Sequence, residues 1–357
     1  MTSPSFQSRV LGCFLGGAVG DALGAPVEFI SLNEIRDHFG ADGVTGFVEV
    51  KGRGAITDDT QMTLFTAEGL IRAKARYRDR GICDPSSVVH RAYLRWLWTQ
   101  NVSAAGDDHP PTESVSKAGW LVTKVFLRRR RAPGNTCLSA LEGGEMGSIE
   151  EPLNDSKGCG GVMRVAPVGL MAQDPDFDKN PFDLGAEVAA LTHGHPSGFL
   201  SAGALALMIS CIARGKSLRD AVDVAMGELE RHGGHEETHD ALQHAVDAAT
   251  KSPSPEQLAI LGEGWVAEEA LAISVYCALT AKDFLSGVLL AVNHDGDSDS
   301  TGAITGNLLG TLYGTEAIPS RLSEGLENRE TIEQLANDFS ALIEDPQTLD
   351  ERRYPPN

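Results

Sequence analysis

The sequence is poor in cations: 30 Lys and Arg stand against 50 Asp and Glu, a formal net charge of −20 over 357 residues. A deficit of that size excludes a surface that coats DNA or RNA, which needs clustered Lys and Arg. Small ligands and cations become the expected partners. A cysteine framework is also missing, because the six thiols (13, 83, 137, 159, 211 and 277) form no C-x-x-C pair and no Cys/His spacing of a zinc site. A reducing, cytoplasmic compartment is expected, with most of these thiols as core residues. Nor is there an apolar run of the ~20 residues that a membrane-spanning helix needs. The longest, Phe199 to Ala213, is interrupted by Ser201, Gly203 and Ser210 and reads as a buried core helix. The N-terminal stretch lacks a basic flank and runs into Asp21 and Glu28, so it does not read as a signal peptide. No membrane partner is expected.

What is present is a globular composition, 41% apolar and 22% charged. Apolar residues recur at helical spacing nearly everywhere, as in Val88, Val89, Ala92, Tyr93, Trp96 and Leu97. Beyond the patterns opening near Val10, Val88 and Ile332, the spacing predicts helices over 61–77, 115–130, 137–143, 185–193, 198–213, 217–231, 239–249, 266–281, 283–292 and 301–313. Only Val44 to Val50 looks strand-like. The expected fold is therefore all-α, one multi-helix domain over 1–357 with its core at about 8–345, a C-terminal tail at 346–357, and a monomeric state. The Arg128 to Arg131 run, placed at the end of the 115–130 helix, reads as complementing that helix's dipole.

Four segments interrupt the helical pattern with glycines and polar groups: Gly20 to Glu28, Ile56 to Gln61, Asn154 to Arg164 and Asn293 to Gly302. A single carboxylate at a helix start is explained by capping. Asp58-Asp59 and the Asp297/Asp299 pair, each with neighbouring hydroxyls, go further and offer the hard oxygen donors that Mg²⁺, Mn²⁺ or Ca²⁺ takes. An EF-hand fails, since glycine is missing at its sixth position (Ser300) and glutamate at its twelfth (Gly306). Gly302 and Gly306 instead suit close backbone packing. Gly158, Gly160 and Gly161 suggest backbone N–H groups turned toward a phosphate or sugar, without a Walker ending. Thr192-His193-Gly194-His195-Pro196 adds two imidazoles, His195 reading equally as a turn or a ligand contact.

At these residues the sequence resembles the ADP-ribosylglycohydrolase family. The matching blocks, in order, are Gly16 to Gly24 with Glu28, Thr57-Asp58-Asp59-Thr60, Ser156 to Arg164, Thr192-His193, and Gly296 to Ser300. The resemblance implies an all-α domain holding two Mg²⁺ or Mn²⁺ ions. Thr57, Asp58 and Asp59 match the first ligand cluster; Asp297, Asp299 and Ser300 match the second, with Ser300 standing where many relatives have threonine. Glu28 matches a glutamate that serine-specific relatives carry on a flap. Asn154, Asp155, Ser156, Lys157, Gly158, Cys159 and Gly160 match the loop that holds the phosphates and ribose of ADP-ribose, and His193 matches a histidine at the substrate.

The expected reaction is hydrolysis of the bond between ADP-ribose and an acceptor, foremost an arginine side chain on a protein, with Asp58, Asp59 and Glu28 as the candidate catalytic groups. Serine, a nucleobase or an O-linked ADP-ribose metabolite are the other acceptors. Asp107, Asp108 and His109 could face a guanidinium, although a solvated loop explains those charges as well. Two further readings compete: a non-catalytic ADP-ribose binder or crystallin-like relative, and a phosphohydrolase acting on a nucleotide.

Overall fold

The apolar spacing becomes helix along most of the chain. The protein, described by a computed structural model over residues 3–48, 53–102, 119–174, 177 and 179–356, contains sixteen α-helices among those residues. The first half holds α1 (Phe6–Gly24), α2 (Leu32–Phe39), α3 (Asp58–Arg80), α4 (Pro85–Thr99), α5 (Asn135–Glu142), α6 (Ala166–Met171) and α7 (Pro181–Ala190). The second holds α8 (Pro196–Ala213), α9 (Leu218–Leu229), α10 (Glu236–Ala248), α11 (Pro255–Leu261), α12 (Ala267–Thr280), α13 (Phe284–Val292), α14 (Ser298–Tyr313), α15 (Ser320–Gly325) and α16 (Arg329–Glu344). Local sequence sets their ends: Ser31 and Glu34 form a capping box on α2, Pro85 sits in the first turn of α4, and Gly81, in the left-handed region, closes α3. Helix α8 is long and apolar enough to cross a membrane, yet 83% of it is buried, packed against α6, α7, α9 and α12.

The centre of the fold is the antiparallel crossing of α1 and α14, flanked by α12, α13 and α16. Gly12, Gly16 and Gly20 recur every fourth residue on α1 and face Gly310, Gly306 and Gly302 on α14. A Cβ at Gly20 would stand 1.9 Å from the Gly302 carbonyl oxygen, and one at Gly306 would stand 2.0 Å from that of Gly16. Only bare backbone allows that approach. It brings Asp21 and the turn after Gly24 against the N-terminus of α14, so two segments nearly 300 residues apart in sequence share one site.

Three expectations change. The 115–130 helix is absent from its described part: two single 3₁₀ turns, Leu121–Thr123 and Val125–Arg128, are split by an extended Lys124. Gly119 is left-handed (φ +83°), and the Trp120 ring packs edge-on to Tyr354, a tertiary contact that overrides the periodicity. The arginine run therefore serves side-chain contacts instead of a helix dipole: Arg128 lies over the Trp98 ring and Arg131 pairs with Glu327. In the strand-like stretch, residues 49–50 lie outside the described residues, and 44–48 have no ladder because Asn293 satisfies both backbone groups of Val44. The C-terminal segment is no free tail, since Tyr354 is buried and donates to Asp338 at 2.8 Å.

Candidate active site

The site begins with the N-terminus of α3, where orphan backbone N–H groups attract carboxylates. Thr57 is the N-cap; its N–H donates to both oxygens of Asp21 (2.9 and 3.0 Å), and Thr60 donates to Asp21 through its N–H (3.1 Å) and its hydroxyl. Asp21, which the motif reading quotes but assigns no role, is thus the anchor of this turn. Its signal in the sequence is a lone carboxylate inside a glycine-rich apolar helix. Thr57 Oγ1 bridges the Asp59 N–H and Asp59 Oδ2 (both 3.3 Å), Asp58 Oδ2 accepts from the Gly134 N–H (3.4 Å), and Asp59 Oδ1 is buried without any partner.

The second half comes from the N-terminus of α14. Gly296, with φ +114°, makes the turn into it, and a Cβ there would strike the Glu263 carbonyl. Asp297 caps the helix by accepting from the Ser300 N–H (3.3 Å), and Asp299 accepts from the same N–H (2.9 Å). Glu28, on the turn between α1 and α2, points inward, so that one oxygen each of Glu28, Asp297 and Asp299 lie within 4.8 Å of one another. Next to it, exposed Phe29 stacks on Trp265 at 5.7 Å.

So many buried carboxylates oppose their own ionisation. Burial, then Asp297, pushes Glu28 up to about 8; burial raises Asp21 to about 6 against the pull of its four hydrogen bonds. Asp58, Asp59 and Asp299 all stand well above the ordinary carboxylate range, through burial first and mutual repulsion second. A buried oxygen without a donor beside oxygens that repel one another fits a divalent cation, which would satisfy the first and neutralise the second.

The glycine loop closes the other wall. Asn154 ties it down, donating to the Thr192 carbonyl (2.8 Å) and accepting from Ser156 and Gly194 N–H groups. Asp155 is exposed, Ser156 Oγ meets Thr136, and Lys157 is ion-paired with Glu237 and Glu268. Gly158 bridges to Val266, and the Cys159 thiol donates to Asp297 Oδ2 at 2.8 Å, joining loop and carboxylates. His193 is buried beside Gly158 and Gly160; burial, then Arg164, pushes it down to about 3, so it is a neutral imidazole bonded through Nδ1 to Thr192. His195 is an N-cap, accepting from the Ser197 N–H. Asp107, Asp108 and His109 lie outside the described residues.

The chain is 28% identical to the ADP-ribosyl-[dinitrogen reductase] glycohydrolase of Rhodospirillum rubrum over 90% of each protein. It is 24% identical to the ADP-ribosylarginine hydrolase Tri1 of Serratia proteamaculans, over 92% of this chain and 78% of that one. Among solved structures, an ADP-ribosylglycohydrolase-related protein complex superposes with a TM-score of 0.65 at 26% identity, covering 95% of this chain and 99% of the other. With the ADP-ribosylglycohydrolase family model matched over residues 2–349, this chain belongs to that family.

Proposed function

We propose that this protein is a hydrolase that uses two divalent cations, Mg²⁺ or Mn²⁺, to cleave ADP-ribose from an arginine side chain. The observation that carries the reading is the Cys159–Asp297 contact, which sets the glycine loop against the cluster of buried carboxylates Asp21, Glu28, Asp58, Asp59, Asp297 and Asp299. Thr57, Asp58 and Asp59 would hold a cation from the α3 side, and Asp297, Asp299 and Ser300 from the α14 side. When bound there, such cations would supply Lewis acidity toward sugar hydroxyls and water. The residues do the rest. The loop sets its glycine backbone at 158–161 beside the carboxylates, the Gly158 N–H donating to Ser156 Oγ (3.3 Å), and would seat a diphosphate there, with neutral His193 as a hydrogen-bonding wall. Bond cleavage at the anomeric carbon develops positive charge on the ribose, which the surrounding carboxylates favour. Asp58, Asp59 and Glu28 are the groups placed to take a proton from water or return one to the leaving group. The arginine acceptor is supported by a relative named for ADP-ribosylarginine, and a protein acceptor by one named for dinitrogen reductase.

The test is incubation with proteins ADP-ribosylated on arginine or on serine, with and without Mg²⁺ or Mn²⁺, and mass spectrometry of the products. Free ADP-ribose from the arginine-linked substrate, only with cation, is expected. ADP-ribose binding without turnover would establish the binding protein instead, and phosphate release would establish the phosphohydrolase.

A second expectation concerns pH. A carboxyl whose folded pKa exceeds its unfolded one stabilises the fold fully below the unfolded value, and that support is lost as pH rises through the folded value. For Glu28 the window runs from about pH 4 to about 8, and for Asp21 it ends near 6. Chelator-treated protein should therefore melt at a lower temperature at pH 8 than at pH 5, and saturating Mn²⁺ should raise the melting point most at pH 8. A cation-free melting point that climbs across this window would contradict it.

A further inference from the structure

Arg164 ends the 3₁₀ helix Cys159–Arg164 that carries the chain out of the glycine loop, and its side chain is fully buried. Its partners are all neutral. Nη1 donates to Cys137 Sγ (3.4 Å) and Met62 Sδ (3.6 Å), Nη2 donates to the Val188 carbonyl (3.4 Å) and to Thr192 Oγ1 (2.6 Å), and the guanidinium lies over the Tyr93 ring at 4.2 Å. No carboxylate pairs with it among the described residues. Holding a buried cation among neutral groups costs stability. The shortest of its bonds shows what that cation serves, because Thr192 Oγ1 in turn lies 2.8 Å from His193 Nδ1.

Counting donors along this chain places a proton. A threonine hydroxyl has one hydrogen to give; with the guanidinium donating to its oxygen, that hydrogen turns to His193 Nδ1 or to the Cys137 thiol, the other group at Thr192. The imidazole nitrogen is the stronger acceptor, sulfur a weak one, and the Arg164 charge behind the hydroxyl favours a lone pair on Nδ1. The ring's single proton then sits on Nε2. That nitrogen faces the glycine loop: a Cβ at Gly160 would stand 3.2 Å from it and one at Gly158 3.5 Å, and it has no hydrogen-bond partner among the described residues.

We infer that Arg164 and Thr192 are positioning residues that fix His193 as an Nε2–H donor, aimed across the glycine backbone at an oxygen of a diphosphate seated on the loop. Neither of the two touches that ligand. The inference rests on the reading of the loop given above and adds a direction to the hydrogen bond: an oxygen that accepts is selected, and a ligand group that can only donate is refused.

Nitrogen-15 NMR of the full-length protein reads the tautomer without ligand or turnover, with His193→Gln identifying the signal. A protonated Nε2 and a bare Nδ1 at neutral pH are expected; a protonated Nδ1 overturns the inference. Thr192→Val removes the hydroxyl at nearly constant size and should release the tautomer and weaken ADP-ribose binding, measured by calorimetry in Mg²⁺, about tenfold or more. Thr192→Ser keeps the hydroxyl and should restore both. ADP-ribose bound as tightly by the valine variant as by the unaltered protein, or weakened equally by valine and serine, overturns the relay. Should Thr192→Val not fold, the spectra of the unaltered protein and of Thr192→Ser decide. An Nε2–H signal in a protein that binds no ADP-ribose overturns the reading of the loop and leaves the relay standing.

Discussion

Asp299→Asn is expected to abolish turnover while making the cation-free protein more stable. Asp299 is buried, and one of its oxygens lies within 4.8 Å of an oxygen of Glu28 and one of Asp297. Two ionised carboxylates at that distance repel by about 3 kcal/mol at an effective dielectric of 20. The amide keeps the shape, removes one charge from the repulsive cluster, and can donate to either neighbour. A melting point higher by roughly 2 °C or more at pH 8 in chelator is the expected gain. The same change removes an anionic cation ligand, and the loss in kcat/KM should be on the order of a thousandfold, about 4 kcal/mol of transition-state stabilisation. Measuring both matters, because misfolding would lower the two together. Activity retained within tenfold would sink the cation site; a lower melting point in chelator would mean that Asp299 is held by the fold and does not strain it.

That opposition between stability and function explains which parts of the site the sequence discloses. Asp58-Asp59 and Asp297/Asp299 are legible because nothing but chemistry requires paired carboxylates at the start of two apolar helices, where one would cap. The helices themselves are legible wherever one face is apolar, as in α4 and α16. The 119–128 stretch misleads because the half-buried Trp120 packs edge-on to Tyr354, far along the chain, and not on a helical face. Cys159 against Asp297 spans 138 positions and Asp21 beneath Thr57 spans 36, so no local spacing could announce either contact. What links the two ends of the chain is the one long-range feature that does leave a trace, the glycines repeated on α1 and α14.

Those glycines set the other large effect. Gly20→Ala should cost about 3 kcal/mol or more, at the upper end for overpacking, because the new methyl group would meet the Gly302 carbonyl at 1.9 Å and its carbon at 2.3 Å. Side chains can rotate away from an intruder; two helix backbones cannot. Relief requires α1 and α14 to separate, and that separation carries Asp21 with Thr57 away from Asp297, Asp299 and Ser300. Stability and cation affinity should therefore fall together, unlike the outcome at Asp299. Gly227→Ala is the matched control, since it sits on the exposed face of α9 with nothing within 4 Å of its Cβ. Helix propensity alone then acts, raising stability by roughly 0.5–1 kcal/mol. Chemical denaturation of the two variants reads the contrast directly. If Gly20→Ala unfolds at the same denaturant concentration as the unaltered protein, the α1–α14 contact is looser than bare backbone packing requires, and the crossing is not what holds the two halves of the site together.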